Sequence, residues 1–302
     1  MDIFLDIETT GLKRRSDMIY LIGICYDDFK TRLFFNDDGI SEKKILTDLI
    51  NFLENNNISR IITYNGISFD IPFINEKLKK YEIDFSLSKY ESFDLYRVIM
   101  PYKNILSLNN LTLKTIEKFL NIHREDTYSG KELIDVYTKY LGFRDEENKT
   151  LLFNHNIDDI KGLKNVMVIL NYISVFNGDF TINKSFVNNG NLCVNCYVNH
   201  TLPAKINYKS PYINIEADNN SINFSIEINN NQVKHYYKNY KDYYFLKFEK
   251  YAIHKSIATF VDKSNKEKAT KENCYTFVPV DNLLNNNELL KEYLINAINV
   301  CV

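Results

Sequence analysis

Three apolar runs crowd into the first 35 residues, and their spacing restricts the fold more than any other feature of the chain. The runs are Asp2 to Ile7, Met18 to Tyr26 (MIYLIGICY) and Thr31 to Phe35. Only the turn signals Thr9-Thr10-Gly11 and Asp27-Asp28 separate them, so they read as strands folding back on one another in an antiparallel meander. The period then changes. Ile45, Leu49, Ile50 and Leu53 share one helical face in Ser41 to Asn55, with Ser41 as N-cap and Asn55-Asn56-Asn57 as the stop. A short strand follows at Arg60 to Tyr64, a helix at Asp70 to Lys80 and a strand at Ser92 to Tyr96. From Thr112 to about Phe176 the pattern is helical, with a break near Gly142. This order predicts an α/β fold, a mixed sheet flanked by helices.

After Asn177-Gly178-Asp179 the periodicity becomes that of strands. Ile222, Phe224, Ile226 and Ile228 alternate with polar residues, and a last amphipathic helix is expected over Leu283 to Ile298. The predicted organisation is a domain over 1–177 and a smaller β-rich accessory domain over 178–302 that ends in a helix.

Hydrophobic residues make up 45% of the 302 and charged residues 25%, which suits a globular chain. The net charge of −2 excludes a polycation that holds nucleic acid by bulk charge, so a polyanionic substrate needs a local site. No apolar run reaches the roughly 18 residues of a membrane span, and the first residues lack the basic and long apolar stretches of a secretory leader. With five cysteines, an odd and modest number, the expectation is a cytoplasmic protein without a disulfide framework.

The chemistry is carried by carboxylates. Asp6 and Glu8, two apart on a strand, project to one face at its end. Two such charges 4 Å apart repel by roughly 4 kcal/mol at an effective dielectric near 20, unless cations neutralise them. Asp70 follows Tyr64-Asn65-Gly66 and opens a helix with Pro72 in its first turn; alone it reads as an N-cap. His155 and Asp159 are four apart and share a helix face.

Together these pieces have the order and spacing of the DEDD exonucleases of the RNase H-like superfamily. The chain resembles YprB-type ribonuclease H-like proteins and the proofreading domain of family B DNA polymerases. Asp6-Ile7-Glu8-Thr9-Thr10-Gly11-Leu12 is similar to their first motif, Tyr64-Asn65-Gly66 with Phe69-Asp70 to the second, and His155-Asn156-x-x-Asp159 to the YprB form of the third. Tyr128-Ser129-Gly130 also resembles that group. The resemblance spans residues 1 to about 176. One departure is the spacing: three residues lie between His155 and Asp159, pairing the residue type of one subclass with the spacing of the other.

The resemblance implies a metal-dependent nuclease, a 3′→5′ exonuclease acting on single-stranded DNA or RNA. It implies two divalent cations, Mg²⁺ or Mn²⁺, held by Asp6, Glu8, Asp70 and Asp159. Asp6 would bridge both, Glu8 and Asp159 would serve the water-activating ion, and Asp70 the other. His155 would act as general base, or only orient water or phosphate. Thr9, Thr10, Gly11, Leu12 and Asn65 would touch the substrate, Leu12 wedging against the last base. Lys13-Arg14-Arg15 could hold phosphates, and Asp94 is read as structural. The alternative is a nucleic-acid-binding or assembly module on an inactive nuclease fold, against which stands the presence of all four acids.

Two weaker signals lie in the second region. Cys193-Val194-Asn195-Cys196 could bind zinc only with remote partners such as His200 and Cys274, so ordinary thiols are expected. Tyr236, Tyr237, Tyr240, Tyr243 and Tyr244, with Lys234, Lys238 and Lys241, could stack bases and bind phosphates, but strand aromatics are read first as packing. The segment Lys263 to Lys271 reads as a solvated loop.

Overall fold

The structure is a computed structural model that describes residues 1–124 and 128–302; of the helical stretch expected from 112 to 176, residues 125–127 lie outside the described ones. The chain forms two compact units, residues 1–100 with 110–168, and residues 101–109 with 169–302.

In the first unit β1 (Asp2–Thr9), β2 (Ile19–Tyr26) and β3 (Lys30–Phe35) form the antiparallel meander. On the other side of β1, β4 (Arg60–Thr63) and β5 (Glu91–Asp94) join in parallel, giving the order β3-β2-β1-β4-β5. β1 lies in the middle, so both its faces need cover. Ile3, Leu5 and Ile7 pack in one core with Ile45 and Leu49 of α1 (Glu42–Glu54) and Ile71 and Ile74 of α2 (Asp70–Lys80). Strand alternation sends Asp6 and Glu8 to the opposite face.

On that opposite face, α5 (Gly130–Phe143) brings Leu133, Val136 and Tyr137 against Tyr20 and Leu21, and α6 (Glu146–Asn165) lies along β1 and β2. The Tyr20 and Tyr137 rings stack at 4.2 Å. Ser129 and Glu132 form a capping box that starts α5. The break expected near Gly142 falls at Arg144, whose left-handed φ of 56° ends α5. Ser41 stands at the start of α1, but its hydroxyl donates to Asp38 Oδ2 at 2.6 Å instead of capping. One tie was not legible in the sequence: Glu42 of α1 is fully buried beside Lys77 of α2 at 3.7 Å. It also accepts the Ile19 N–H and the Tyr81 hydroxyl, each at 2.7 Å, and Lys80 lies 3.9 Å away.

The second unit begins earlier than the turn at 177–179 suggests. Helix α7 (Leu170–Phe176) belongs to it and is tied to Ala204, whose N–H donates to the Tyr172 hydroxyl at 2.7 Å. Tyr102, from the short segment 101–109, stacks on Phe176. Strands β6 (Thr181–Asn188), β7 (Asn191–Lys209) and β8 (Asn214–Glu227) form an antiparallel sheet. The alternating Ile222, Phe224 and Ile226 of β8 are its buried face. β9 (Gln232–Tyr236) pairs with β13 (Tyr275–Pro279), and β10 (Tyr243–Leu246) runs between β11 (Ala252–His254) and β12 (Lys266–Lys268). The short helix α8 (Lys255–Ala258) follows β11. The final helix is two: α9 (Val280–Leu284) and α10 (Asn287–Cys301), the second capped by Asn286.

The CxxC forms no metal site among the described residues. Cys193 and Cys196 are three apart on β7, so they take opposite faces of the strand; Cys196 and Cys274 are buried, and all five cysteines are unpaired. No helix among the described residues is long and apolar enough to cross a membrane.

Candidate active site

The site is built where β1 ends beneath α6. Asp6 faces Gly23 across the β1–β2 pair. A side chain at Gly23 would put its Cβ 1.7 Å from Asn156 Oδ1, so the glycine is what lets α6 come this close. Asn156, fully buried, then donates from Nδ2 to Asp6 Oδ2 at 2.9 Å. One turn apart on α6, His155 and Asp159 project the same way. His155 Nε2 lies 3.4 Å from Glu8 Oε1 and 3.2 Å from Asp159 Oδ2, so the imidazole joins the strand carboxylate to the helix carboxylate. The Tyr20 hydroxyl is 3.5 Å from the other Glu8 oxygen.

Asp70 does not cap its helix. The residue before it, Phe69, occupies the cap position, while the Asp70 carboxylate is buried and accepts the Ile7 N–H at 3.1 Å. That bond pins the start of α2 to β1 between Asp6 and Glu8. The preceding loop turns at Asn65, whose φ is +63°. Asp94, at the end of β5, braces it by accepting the N–H groups of Asn65 at 2.8 Å and Ile67 at 3.1 Å, and it also caps α3 (Leu95–Ile99), the helix after β5. Its role is structural, as its place at a strand end suggests.

A second buried charge pair borders the acids. Arg124 pairs with Asp159 Oδ1 and, at 3.4 Å, with Glu117 of α4 (Leu113–Phe119). Glu117 reaches this place over Gly162 of α6, where a Cβ would lie 2.1 Å from its Oε1. Nothing in the sequence marks Arg124.

Burial and mutual repulsion dominate the electrostatics. Burial, and then the charges of Asp159, Asp70 and Glu8, hold the Asp6 carboxyl well above the usual carboxylate range. Burial pushes Glu8 up to about 8, with His155 acting in the opposite direction. Burial pushes Asp70 to about 7 against the pull of its backbone hydrogen bonds. Asp159 differs: burial alone would raise it, but the hydrogen bond and charge of His155, with Arg124, hold it below the usual range. The donor set fits a hard divalent cation. Ligand atoms of Glu8, His155 and Asp159 lie within 4.8 Å of one another, and the charge crowded around them is what a cation would relieve.

These groups line a cleft of about 500 Å³ together with Tyr64, Asn65, Phe69, Lys114 and Tyr128. Asn65 therefore stands beside the acids. Thr9, Thr10 and Gly11 are not among the lining residues: the Thr9 hydroxyl donates to the Gly11 carbonyl at 2.7 Å, and the Thr10 hydroxyl accepts the Met18 N–H at 2.9 Å. Leu12 is 82% exposed and lines a neighbouring depression that meets the cleft at Phe69. In the basic cluster Arg14 donates to the Ser68 carbonyl at 2.6 Å and Arg15 pairs with Glu76 at 3.2 Å. Asp158 borders a different depression from its neighbour Asp159.

A family model described as RNase_H superfamily (RNase_H_2) matches residues 3–171, more than half of the chain. Among solved structures, the family B DNA polymerase from the hyperthermophilic archaeon Pyrobaculum calidifontis matches at 14% identity with a TM-score of 0.48. The match covers 58% of this chain and 24% of the polymerase chain, so this chain spans about a quarter of that protein's length. No curated protein matches.

Proposed function

Because this chain belongs to the RNase H superfamily, we propose that it is a metal-dependent nuclease, a 3′→5′ exonuclease on single-stranded nucleic acid. One observation carries the reading: four carboxylates from three distant segments share one cleft and hold three of their number above the usual carboxylate range. Asp6, Glu8, Asp70 and Asp159 would hold two ions, Mg²⁺ or Mn²⁺. When bound, such ions supply charge stabilisation worth several kcal/mol in the transition state, and an acidified water.

The chain's own residues do the positioning. Asn156 fixes the Asp6 carboxylate, and the Ile7 N–H fixes that of Asp70. His155 Nε2, between Glu8 and Asp159, orients the two carboxylates; as the neutral imidazole, once cations hold those oxygens, it would accept the proton of an attacking water. Asn65, Phe69 and Tyr128 form the wall against which a terminal nucleotide would rest, and Lys114 lies near enough to serve a phosphate. Five unpaired cysteines suit a reducing cytoplasm.

The test uses single-stranded DNA and RNA oligonucleotides, labelled at either end, with Mg²⁺ or Mn²⁺. A 3′→5′ exonuclease shortens the 5′-labelled strand in a ladder, and Asp6→Asn abolishes it. An Asp6→Asn protein with undiminished hydrolysis would end the reading. The second reading, a binding module on an inactive nuclease fold, draws on the pairing of Arg124 with Asp159, which gives that carboxylate a cation without a metal. Calorimetric Mn²⁺ titration separates the two: the nuclease takes up Mn²⁺ in an Asp6-dependent way, and the scaffold does not.

A further inference from the structure

Residues 234–271 of the second unit hold ten lysines against four acids, a balance of +6 in a chain whose total is −2. The same stretch holds nine Tyr and Phe side chains. Cations interleaved with aromatic rings are the composition that single-stranded nucleic acid selects, because every base has a π-face and every nucleotide a phosphate.

The fold gathers these residues around β10. Tyr243 lies opposite His254 on β11, and Tyr244 opposite Lys268 on β12. A cavity of about 320 Å³ opens there, lined by Tyr240, Tyr243, Tyr244, Lys241, Lys255 and Lys268. That volume is at the lower end of small-molecule sites, large enough for one nucleotide. The Tyr243 ring is held by stacking on Tyr237 at 4.5 Å and 13°, and Lys255 is held by Asp242 at 3.2 Å. Among the described residues Lys241 and Lys268 have no carboxylate partner. On the same stretch Phe248 and Phe260 are 80% and 90% exposed, rings in water that packing does not explain.

We propose that this cavity is a second nucleic-acid site, separate from the acid cleft. It takes one base of a single strand against its tyrosine rings while Lys241 and Lys268 hold flanking phosphates. The identity of the ligand as nucleic acid rests on the nuclease reading; the cations and rings are observed independently of it. An acidic polypeptide would need the lysines but would leave the rings without a function.

The experiment uses the full chain carrying Asp6→Asn, in EDTA, so that binding is read without hydrolysis or metal. Fluorescent oligo-dT and an abasic oligomer of equal length are titrated at several salt concentrations. The expected result is binding of oligo-dT roughly tenfold tighter than the abasic strand, since stacking needs a base. Lys241→Gln with Lys268→Gln should flatten the slope of log K against log salt by about 1.4, two contacts at roughly 0.7 each, while the Lys→Arg pair keeps it. Photocrosslinks from a 5-iodouridine strand should include the segment 240–244. Equal affinity for the abasic strand, an unchanged slope in the Gln pair, or crosslinks confined to residues 1–168 would each overturn the site. Equal displacement by polyglutamate of matched charge would also overturn it, in favour of an acidic protein partner. The nuclease reading stands or falls separately, on hydrolysis by the wild type against Asp6→Asn.

Discussion

The acid cleft of the first unit and the lysine–tyrosine cavity of the second differ in more than charge. The cleft draws its groups from positions as far apart as 6 and 159 and holds them, mostly buried, on a central strand and two helix faces. The cavity draws on one continuous stretch, 240–269, carried by short strands and turns, and its lysines are exposed. A site that must hold like charges together needs a rigid frame, because each carboxylate tolerates its neighbours only at fixed places. A site that gathers phosphates and bases needs only the sum of its charges and a few ring faces. The first should therefore fail abruptly under small changes, and the second by degrees.

The largest effect should come from removing one acid. Asp6→Asn keeps the hydrogen bond with Asn156 in shape but removes a charge that a cation needs. Hydrolysis of a labelled oligonucleotide should fall about a thousandfold, the size of one several-kcal/mol metal contribution. An unfolded variant would be recognised by circular dichroism and replaced by Glu8→Gln. A loss of only twofold would mean that the cleft, too, works by summed charge, and the contrast would be gone.

Next in size is a change that touches no charge. Gly23→Ala forces a methyl into the place of the Asn156 amide, and α6 must move by a fraction of an ångström or more. Misplacement on that scale costs roughly a hundredfold in rate, with overpacking costing about 1–3 kcal/mol of stability. The measurement is turnover at saturating oligonucleotide together with thermal unfolding. Full activity in Gly23→Ala would show a cleft more forgiving than its frame suggests.

How much of this was legible in the sequence follows from the range of each interaction. Asp6 with Glu8, and His155 with Asp159, are visible because strand and helix periods place them together locally. The meander and the helix at 70–80 are visible for the same reason. By local period Asp70 shows only as a helix start, and it is the resemblance of Tyr64-Asn65-Gly66 with Phe69-Asp70 to a known motif that singles it out; its bond to the Ile7 N–H joins positions 63 residues apart. Gly23 could have been noticed as a glycine inside an apolar strand, a sign of close backbone approach, but its partner Asn156 lies far along the chain. Arg124, Glu117 and the buried Glu42–Lys77 pair carry no local signal at all. The second unit takes up the chain again at Ile169, and the tie of Tyr172 to Ala204 within it leaves no composition shift in the sequence.

A smaller effect tests the repulsion itself. Glu8 and Asp70, pushed to about 8 and about 7, bind their protons more tightly in the folded chain than in the unfolded one, where a carboxyl titrates near 4. Between pH 4 and pH 8 the folded state therefore holds more protons, and metal-free stability falls as pH rises through that window. Asp70→Asn removes one charge and keeps an acceptor for the Ile7 N–H. In EDTA at pH 8 its melting temperature should exceed the wild type's by on the order of 5 °C, a gap that closes toward pH 4. Added Mn²⁺ should stabilise the wild type more than the variant. A variant that melts lower than the wild type at pH 8 would mean that the carboxylate's bonds outweigh the crowding.

The smallest effect belongs to the second unit. Lys238 is exposed and lies beside the cavity's segment without lining it. If that surface works by summed charge, Lys238→Gln removes one phosphate contact and nothing else. The slope of log K against log salt for oligo-dT should flatten by about 0.7, which amounts to roughly fivefold in affinity at 0.1 M salt. Other exposed lysines of 234–271 should each give a similar decrement, adding when combined because they share no partners. A single exposed lysine whose loss abolished binding would be behaving as Gly23 is expected to behave in the cleft, as part of a fixed geometry. The two regions would then differ in sign of charge alone, and the basic surface would need a frame as exact as the one that gathers the acids.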